Sequence, residues 1–213
     1  MARTFGLSCL FLVACSAAGA QTPWPDTPLN RWRATALIET LNAEILASPS
    51  ATASLENWCG AHHLAREARL VAEKVEGAAP KPLSSEQRQR LGIGRDEPVN
   101  YRHVRLRCGD HVLSEADNWY LPSRLTPEMN RALETSHAPF GRVVRPLGLW
   151  RRTLEAKVLW SPLRAPRDAA TLAPPRALFE HRAMLYTGEN LPFSEVDEVY
   201  QRDVLDFPPD SAD

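Results

Sequence analysis

Residues 99–121 carry the pattern that most restricts the fold of this chain. Apolar and polar side chains alternate from Val99 to Cys108 and again from Val112 to Leu121, and Gly109-Asp110-His111 separates the two runs. Alternation with a period of two predicts β-strands, and a short turn containing glycine between two such runs predicts an antiparallel hairpin. We therefore expect a sheet that includes this hairpin.

The first strand of the hairpin, NYRHVRLRC at 100–108, places one arginine on its apolar face. Because alternate side chains point to opposite faces of a strand, Arg102 shares a face with Val104, Leu106 and Cys108. A buried guanidinium stays charged, and leaving it without an anion in the protein interior is costly. Arg102 therefore needs an anionic partner, which is either a protein carboxylate or a ligand.

Helical patterns come before the hairpin and further strand patterns come after it. The predicted helices cover 29–47, 52–73, 84–91 and 126–133, and the later strands cover 152–160, 177–186 and 191–200. Helices followed by antiparallel hairpins predict an α+β fold. We expect a curved antiparallel sheet with packed helices that encloses a small-molecule pocket. The expected organisation is a signal at 1–20, a proline-rich tether at 21–28, one domain at 29–205 and a C-terminal tail at 206–213.

The first twenty residues have the parts of a bacterial export signal: a basic residue, an apolar run over 5–13, and small residues at 18–20. The segment Leu12-Val13-Ala14-Cys15 also resembles a lipobox, in which Cys15 is lipidated and becomes the mature N-terminus. Cleavage after Ala20 and lipidation at Cys15 both remain open. Either one predicts a periplasmic or lipid-anchored envelope protein that contacts the membrane only through that anchor.

Charge and cysteine content narrow the classes of partner. The formal net charge of −1 over 213 residues provides no basic surface for nucleic acid. Cys59 and Cys108 are the cysteines that lie beyond the signal. In an oxidising compartment they either form a disulfide or remain separate buried thiols.

The last predicted strand, LPFSEVDEVY at 191–200, carries acids on both faces. Alternation groups Glu195 with Phe193 and Asp197, whereas Glu198 lies with Val196 and Tyr200. A carboxylate among apolar neighbours has its proton affinity raised by desolvation and lowered by a nearby cation, a combination that suits a general acid or base. The alternative is a solvent-facing acidic edge.

Three segments, YRHVRLRCGDHVLSEADNWYLP, HAPFGRVV and LPFSEVDEV, together resemble the chorismate pyruvate-lyase superfamily. With RLGIGRDEPV before it, the first segment is also similar to the effector-binding (UTRA) domains of GntR-type regulators, which share that fold. The resemblance covers roughly residues 91–205. It places Arg102 at the carboxylate-binding arginine, Glu195 at the active-site glutamate and Arg142 in the P-[LF]-G-R segment. Asn118 stands where the lyase pattern tends to have a second arginine.

The resemblance implies a carbon–oxygen lyase that cleaves chorismate to 4-hydroxybenzoate and pyruvate without cofactor or metal. Arg102, Arg142 and Asn118 would bind the substrate, and Glu195 would assist proton transfer. Export argues against a cytoplasmic lyase. A second reading is therefore an exported protein that binds an aromatic acid without converting it. In a third, structural reading, Arg102 and Glu195 pair with each other.

Three further arginines, Arg145, Arg151 and Arg152, form either an anion-binding rim with Arg142 or ordinary surface charge.

Overall fold

A computed structural model describes residues 23–77, 79–167 and 169–209 of the protein. In this part of the chain, one six-stranded antiparallel sheet is combined with five α-helices. The α+β architecture with a curved antiparallel sheet is therefore confirmed. The expected export signal and the lipidation site at Cys15 lie outside the described residues.

The helices begin where the sequence supplies capping residues. Thr27, Ser50, Ser84 and Thr126 each accept a hydrogen bond from a backbone amide in the first turn of the helix that follows, which satisfies a donor that the helix itself cannot. The helices are α1 (Pro28–Ala47), α2 (Ala51–Ala61), α3 (Ser85–Leu91), α4 (Pro127–Thr135) and α5 (Phe140–Val144).

The sheet has the strand order β1-β2-β3-β6-β5-β4. Its strands are β1 (Leu70–Lys74), β2 (Asn100–Cys108), β3 (His111–Tyr120), β4 (Trp150–Val158), β5 (Ala177–Tyr186) and β6 (Pro192–Gln201). The predicted hairpin is β2 and β3, and the turn between them contains Gly109 with a positive φ of 57°. An added Cβ at Gly109 would lie 2.9 Å from the Cβ of Ala65, so both backbone conformation and space favour glycine here.

The predicted helix over 52–73 is wrong in its second half. Helix α2 ends at Ala61, and His63 then takes a positive φ of 52° that breaks the helix. Leu70–Lys74 instead forms strand β1, which pairs with Cys108–Val104 of β2. Within β1, Leu70 and Ala72 are buried and Val71 is exposed, so the local alternation has period two. Five residues are too few for this period to stand out beside a long helical pattern.

The two faces of the sheet have different coverings. Residues directly opposite each other on paired strands share a face, so Arg102, Asn118 and Val196 lie together. Helices α1 and α2 cover this face and pack on it through a continuous apolar core. We call it the α1/α2 face. The other face, here called the α3 face, carries Glu195 and Met184 and is covered by the segment that contains α3.

Both ends of the described chain belong to the packed structure. The Trp24 side chain is buried, and its indole nitrogen donates to the carbonyl oxygens of Leu205 and Phe207. The Phe207 ring packs against Trp24 and stacks on His62. The expected tether at 21–28 and tail at 206–213 are therefore set too wide, because large aromatic side chains in both segments bury their apolar surface.

A disulfide joins Cys59 of α2 to Cys108 of β2, with their Cα atoms 6.4 Å apart. Both residues are fully buried in the core of the α1/α2 face. Cross-linking positions 49 residues apart stabilises a folded chain by about 4 kcal/mol when the effect is treated as lost entropy of the unfolded state. The bond fixes α2 on the strand that carries Arg102.

Candidate functional site

Arg102 lies on the buried face of β2, as the alternation predicts. The residue is 7% exposed, and its Nε and Nη2 atoms are buried without a hydrogen-bond partner among the described residues. Burial lowers the pKa of the Arg102 guanidinium, and the nearby Tyr120 acts in the opposite direction. An unpartnered buried cation is costly to the folded state, so this position is not explained by stability.

A cavity lies in front of Arg102, between the α1/α2 face and the start of helix α2. Its volume is about 60 Å³, counted as the space that the centres of water molecules can occupy. One water needs roughly 10 to 15 Å³ on that measure, so the cavity has room for about four or five waters or a small organic molecule. Its walls are mainly apolar side chains, namely Val104, Leu106, Ala116, Phe140, Leu149, Leu185 and Val196.

A second arginine, Arg151 of β4, lines the same cavity. Its Nε, Nη1 and Nη2 atoms are buried, and none makes a hydrogen bond of normal geometry within the described chain, although the Tyr200 hydroxyl lies nearby. The sequence left two alternatives open for Arg151, an anion-binding rim with its neighbouring arginines or ordinary surface charge, and it did not separate Arg151 from the others. The signal was weak because β4 is a polar edge strand, in which alternation does not separate an inward arginine from its exposed neighbour Arg152.

Glu198 is the carboxylate in the cavity wall, and it is 4% exposed. The Ser114 hydroxyl donates to one of its oxygens at 2.7 Å, and the Tyr200 hydroxyl donates to the other at 3.1 Å. Burial raises the pKa of Tyr200 well above its ordinary value, so its hydroxyl remains a donor. These two hydrogen bonds hold the Glu198 carboxylate in one orientation at the cavity floor.

His181 lies directly across from Glu198 on the adjacent strand β5. It is fully buried, and its Nε2 atom is 2.7 Å from the side-chain oxygen of Asn42 in α1. Burial, assisted by the positive charge of Arg151, lowers the pKa of His181 to about 4. The imidazole is therefore neutral at physiological pH, and it does not add a positive charge to the cavity.

The N-terminal end of α2 forms the wall opposite the sheet. Ser50, Ala51 and Thr52 line the cavity there, in the first turn, where backbone amides lack partners inside the helix. Such a terminus carries a partial positive charge of roughly half an elementary charge. Gly141 of α5 allows this close packing, because an added Cβ would lie 2.9 Å from the hydroxyl oxygens of both Ser50 and Thr52.

Glu195 does not face this cavity, which corrects the prediction that it acts opposite Arg102. It lies on the α3 face, where it is 1% exposed. Arg90 of α3 donates from Nε and Nη2 to its two carboxylate oxygens, at 2.9 and 2.8 Å. The bond to Glu195 raises the pKa of Arg90. Arg102 and Glu195 lie on opposite faces of one sheet. The structure therefore contradicts two predictions, the catalytic role of Glu195 beside Arg102 and an Arg102–Glu195 ion pair.

Of the two other predicted binding residues, Asn118 lines the cavity and Arg142 does not. The structure places Asn118 in the cavity wall, where its side-chain oxygen accepts a hydrogen bond of 2.6 Å from the Ser194 hydroxyl. The remaining hydrogen-bonding group of Asn118 is its amide nitrogen, a donor. Arg142 instead forms an ion pair with Glu56 and donates to the Leu70 carbonyl, 3.3 Å away. It ties α5 to α2 and β1 and is not a cavity residue, which corrects its predicted role.

No helix among the described residues is both long and apolar enough to cross a membrane. Likewise, no three or more of their histidine, cysteine, aspartate and glutamate side chains are grouped as metal ligands.

The comparison with protein-family models finds no match. Among solved structures, the effector domain of PhnF from Mycobacterium smegmatis is 14% identical with a TM-score of 0.45, covering 73% of this chain and 90% of that one. The C-terminal domain of Yurk from Bacillus subtilis is 16% identical with a TM-score of 0.41, covering 62% and 90%. The C-terminal domain of the histidine utilization repressor from Pseudomonas syringae pv. tomato is 14% identical with a TM-score of 0.38, covering 63% and 92%.

One curated protein matches along most of its length. The uncharacterized protein y4mC of Sinorhizobium fredii is 48% identical over 199 residues, a match that covers 89% of this chain and 84% of the relative. On that similarity, the chain belongs to the same protein family as y4mC.

Proposed function

We propose that this protein binds a small organic carboxylate in the cavity between α2 and the sheet, and that Arg102 holds the carboxylate. The observation that carries this proposal is the buried Nε and Nη2 edge of Arg102, for which the described part of the chain supplies no hydrogen-bond partner. In Arg31 the same two nitrogens donate hydrogen bonds to the Asp26 carboxylate, and in Arg90 they donate to the Glu195 carboxylate. A ligand carboxylate would supply the missing acceptor as a bidentate pair.

The rest of the cavity suits an aromatic or short aliphatic acid. Its walls are apolar, and its room for about four or five waters matches a single ring rather than a nucleotide. Phe140 provides an aromatic wall, and the Asn118 amide nitrogen and the Glu198 carboxylate are polar groups that can orient a hydroxyl. The ligand class that fits these features is a small cyclic carboxylate, for which 4-hydroxybenzoate is a suitable probe.

The binding test is isothermal titration calorimetry with 4-hydroxybenzoate, using 4-hydroxybenzamide as the uncharged analogue of the same shape. We expect the acid to bind to the wild-type protein, and we expect both the amide and the Arg102→Gln variant to lose at least tenfold in affinity. Arg107→Gln is the matched control, because Arg107 is on the opposite face of β2 and pairs with Glu73. No binding by the acid, or equal binding by Arg102→Gln, would refute the proposal.

The presence of Glu198 in the cavity favours one further candidate, cleavage of chorismate to 4-hydroxybenzoate and pyruvate. In that reaction the ether C–O bond of chorismate breaks, the ring carbon that bears the hydroxyl loses its proton as the ring becomes aromatic, and the methylene carbon of the departing enolpyruvate gains a proton. Arg102 would hold a substrate carboxylate, and Glu198, fixed by Ser114 and Tyr200, would carry this proton. The measurement is the absorbance of 4-hydroxybenzoate after incubation with chorismate. Product formed by the wild type and lost in Glu198→Gln supports the lyase, whereas no product from the wild type leaves binding alone.

A further inference from the structure

Arg151 gives the cavity a second buried cation that carboxylate binding at Arg102 does not explain. Three of its nitrogens are buried and lack a hydrogen bond of normal geometry to any residue that the structure describes. Its positive charge helps to lower the pKa of His181, which is a strand neighbour of Glu198. Arg151 therefore lies beside the polar floor of the cavity. Arg152, next to it, is exposed and packs its guanidinium over the Tyr186 ring at 5.4 Å.

The two arginines come from strands that are not neighbours in the sheet. Arg102 is on β2 and Arg151 is on β4, and strands β3, β6 and β5 lie between them. Adjacent strands are about 4.8 Å apart, so the two side chains start from widely separated positions on the backbone. The two guanidiniums therefore reach into the cavity from different sides.

The cavity's own carboxylate does not serve both arginines. Glu198 is on β6, between the two arginines in strand order, and its oxygens accept from Ser114 and Tyr200. The buried nitrogens of Arg102 and Arg151 that lack partners make no hydrogen bond to Glu198. One carboxylate also balances only one of two positive charges, and the helix terminus adds to the positive side.

We infer that the ligand is a bifunctional acid, with a carboxylate on Arg102 and a second hydrogen-bond acceptor on Arg151 at the far side of the cavity. This inference rests on the proposed function, because it deepens the chemistry of the same site. The second acceptor is either another carboxylate or a neutral carbonyl oxygen. Both chemistries accept hydrogen bonds from a guanidinium fork, and the ligands of the experiment separate them.

The experiment measures affinities for three matched series at chain lengths of four, five and six carbons. Succinate, glutarate and adipate carry two carboxylates, their monoamides carry one carboxylate and one neutral acceptor, and butyrate, valerate and hexanoate carry one carboxylate only. At the best length we expect the monoamide or the dicarboxylate to bind at least tenfold more tightly than the simple acid. Arg151→Gln removes this preference, and Arg152→Gln, the exposed neighbour, retains it.

The outcomes separate this inference from the proposed function. If the simple acids bind as tightly as both bifunctional series, or if the preference persists in Arg151→Gln, the inference is overturned while carboxylate binding stands. If no acid in any series binds and 4-hydroxybenzoate also fails, the proposed function itself is refuted. A dicarboxylate preferred over its monoamide identifies the second group as charged, and equal affinity identifies it as a neutral acceptor.

Discussion

Two buried arginines of this protein have opposite surroundings. Arg31 in α1 is 2% exposed, and its guanidinium binds Asp26 through two nitrogens and the carbonyl oxygens of Pro162, Ala165 and Pro166. Arg102 is 7% exposed, and the same edge of its guanidinium has no acceptor among the residues that the structure describes. Arg31 connects the N-terminal segment to the connector between β4 and β5, whereas the Nε and Nη2 atoms of Arg102 make no such connection. Burial alone therefore does not identify a binding residue; burial without a partner does.

The two faces of the sheet repeat this difference. On the α3 face, Glu195 is buried and fully paired with Arg90, and this pairing raises the pKa of the Arg90 guanidinium. On the α1/α2 face, burial lowers the pKa of Arg102, and no carboxylate of the described chain opposes this effect. The α3 face has the features of a structural contact, and the α1/α2 face has those of an anion-binding site.

The largest expected effect comes from breaking the paired arginine. Arg31→Met keeps most of the side-chain volume but leaves the Asp26 carboxylate and three carbonyl oxygens without donors. We expect the free energy of unfolding to fall by about 4 kcal/mol, as when one partner of a buried ion pair is removed. Urea denaturation measures this loss, with the exposed Arg66→Met as the control. A loss below about 1 kcal/mol would mean that the pairing of Arg31 is not structural.

The second effect is the dependence of stability on pH that His181 imposes. Its pKa in the folded protein is about 4, below the ordinary value of 6.5, so the unfolded chain binds the extra proton first. The contribution of neutral His181 to the free energy of unfolding is fully present above pH 6.5, and the free energy of unfolding falls by about 3 kcal/mol as the pH drops toward 4. We expect His181→Gln, whose amide can still meet Asn42, to lack this part of the slope. Identical slopes in denaturation curves of the two proteins would contradict the prediction.

A smaller effect, of opposite sign to that of Arg31→Met, is expected at Arg102. Arg102→Met removes an unpartnered buried cation and fills the space with apolar atoms, so the ligand-free protein should gain about 1 to 2 kcal/mol. The same urea titration measures it. A loss as large as that of Arg31→Met would show that Arg102 has a structural partner and would erase the contrast between the two residues.

The smallest effect tests whether the charge of Arg151 is uncompensated. Because that charge helps to lower the pKa of His181, Arg151→Gln should raise it toward the ordinary value, and burial should keep it below that value. The pKa is read from the imidazole signals in NMR spectra across a pH titration. An unchanged value would indicate that another group already neutralises Arg151.

The sequence was sufficient for those parts of the fold that depend on local patterns. The hairpin of β2 and β3, the burial of Arg102 and the caps at Ser84 and Thr126 follow from alternation and from capping residues at helix starts. Strand β1 was not predicted, because its pairing with β2 is a long-range contact and its five residues are too few for their period-two alternation to stand out beside the helical pattern before them.

The site was predicted only in part, for a related reason. Alternation puts Glu195 and Glu198 on opposite faces of β6, but it does not say which face meets Arg102; that depends on the register between β3 and β6. The resemblance to the lyase family assigned the active-site glutamate to Glu195. In the structure Asn118 pairs with Val196, and this register places Glu198, not Glu195, on the cavity side of β6. Arg151 depends on β4 curving toward the cavity, which local sequence does not encode.

Carboxylate binding at Arg102 is tested most directly by following the Nε–H signals of Arg102 and Arg31 by ¹⁵N–¹H NMR during a titration with 4-hydroxybenzoate. Arg102→Gln and Arg31→Met assign the two signals. We expect the Arg102 signal to shift and saturate as a carboxylate binds to its Nε and Nη2 edge, while the Arg31 signal stays in place. A stationary Arg102 signal in a protein that binds the acid, or a shift confined to other arginines, would contradict it.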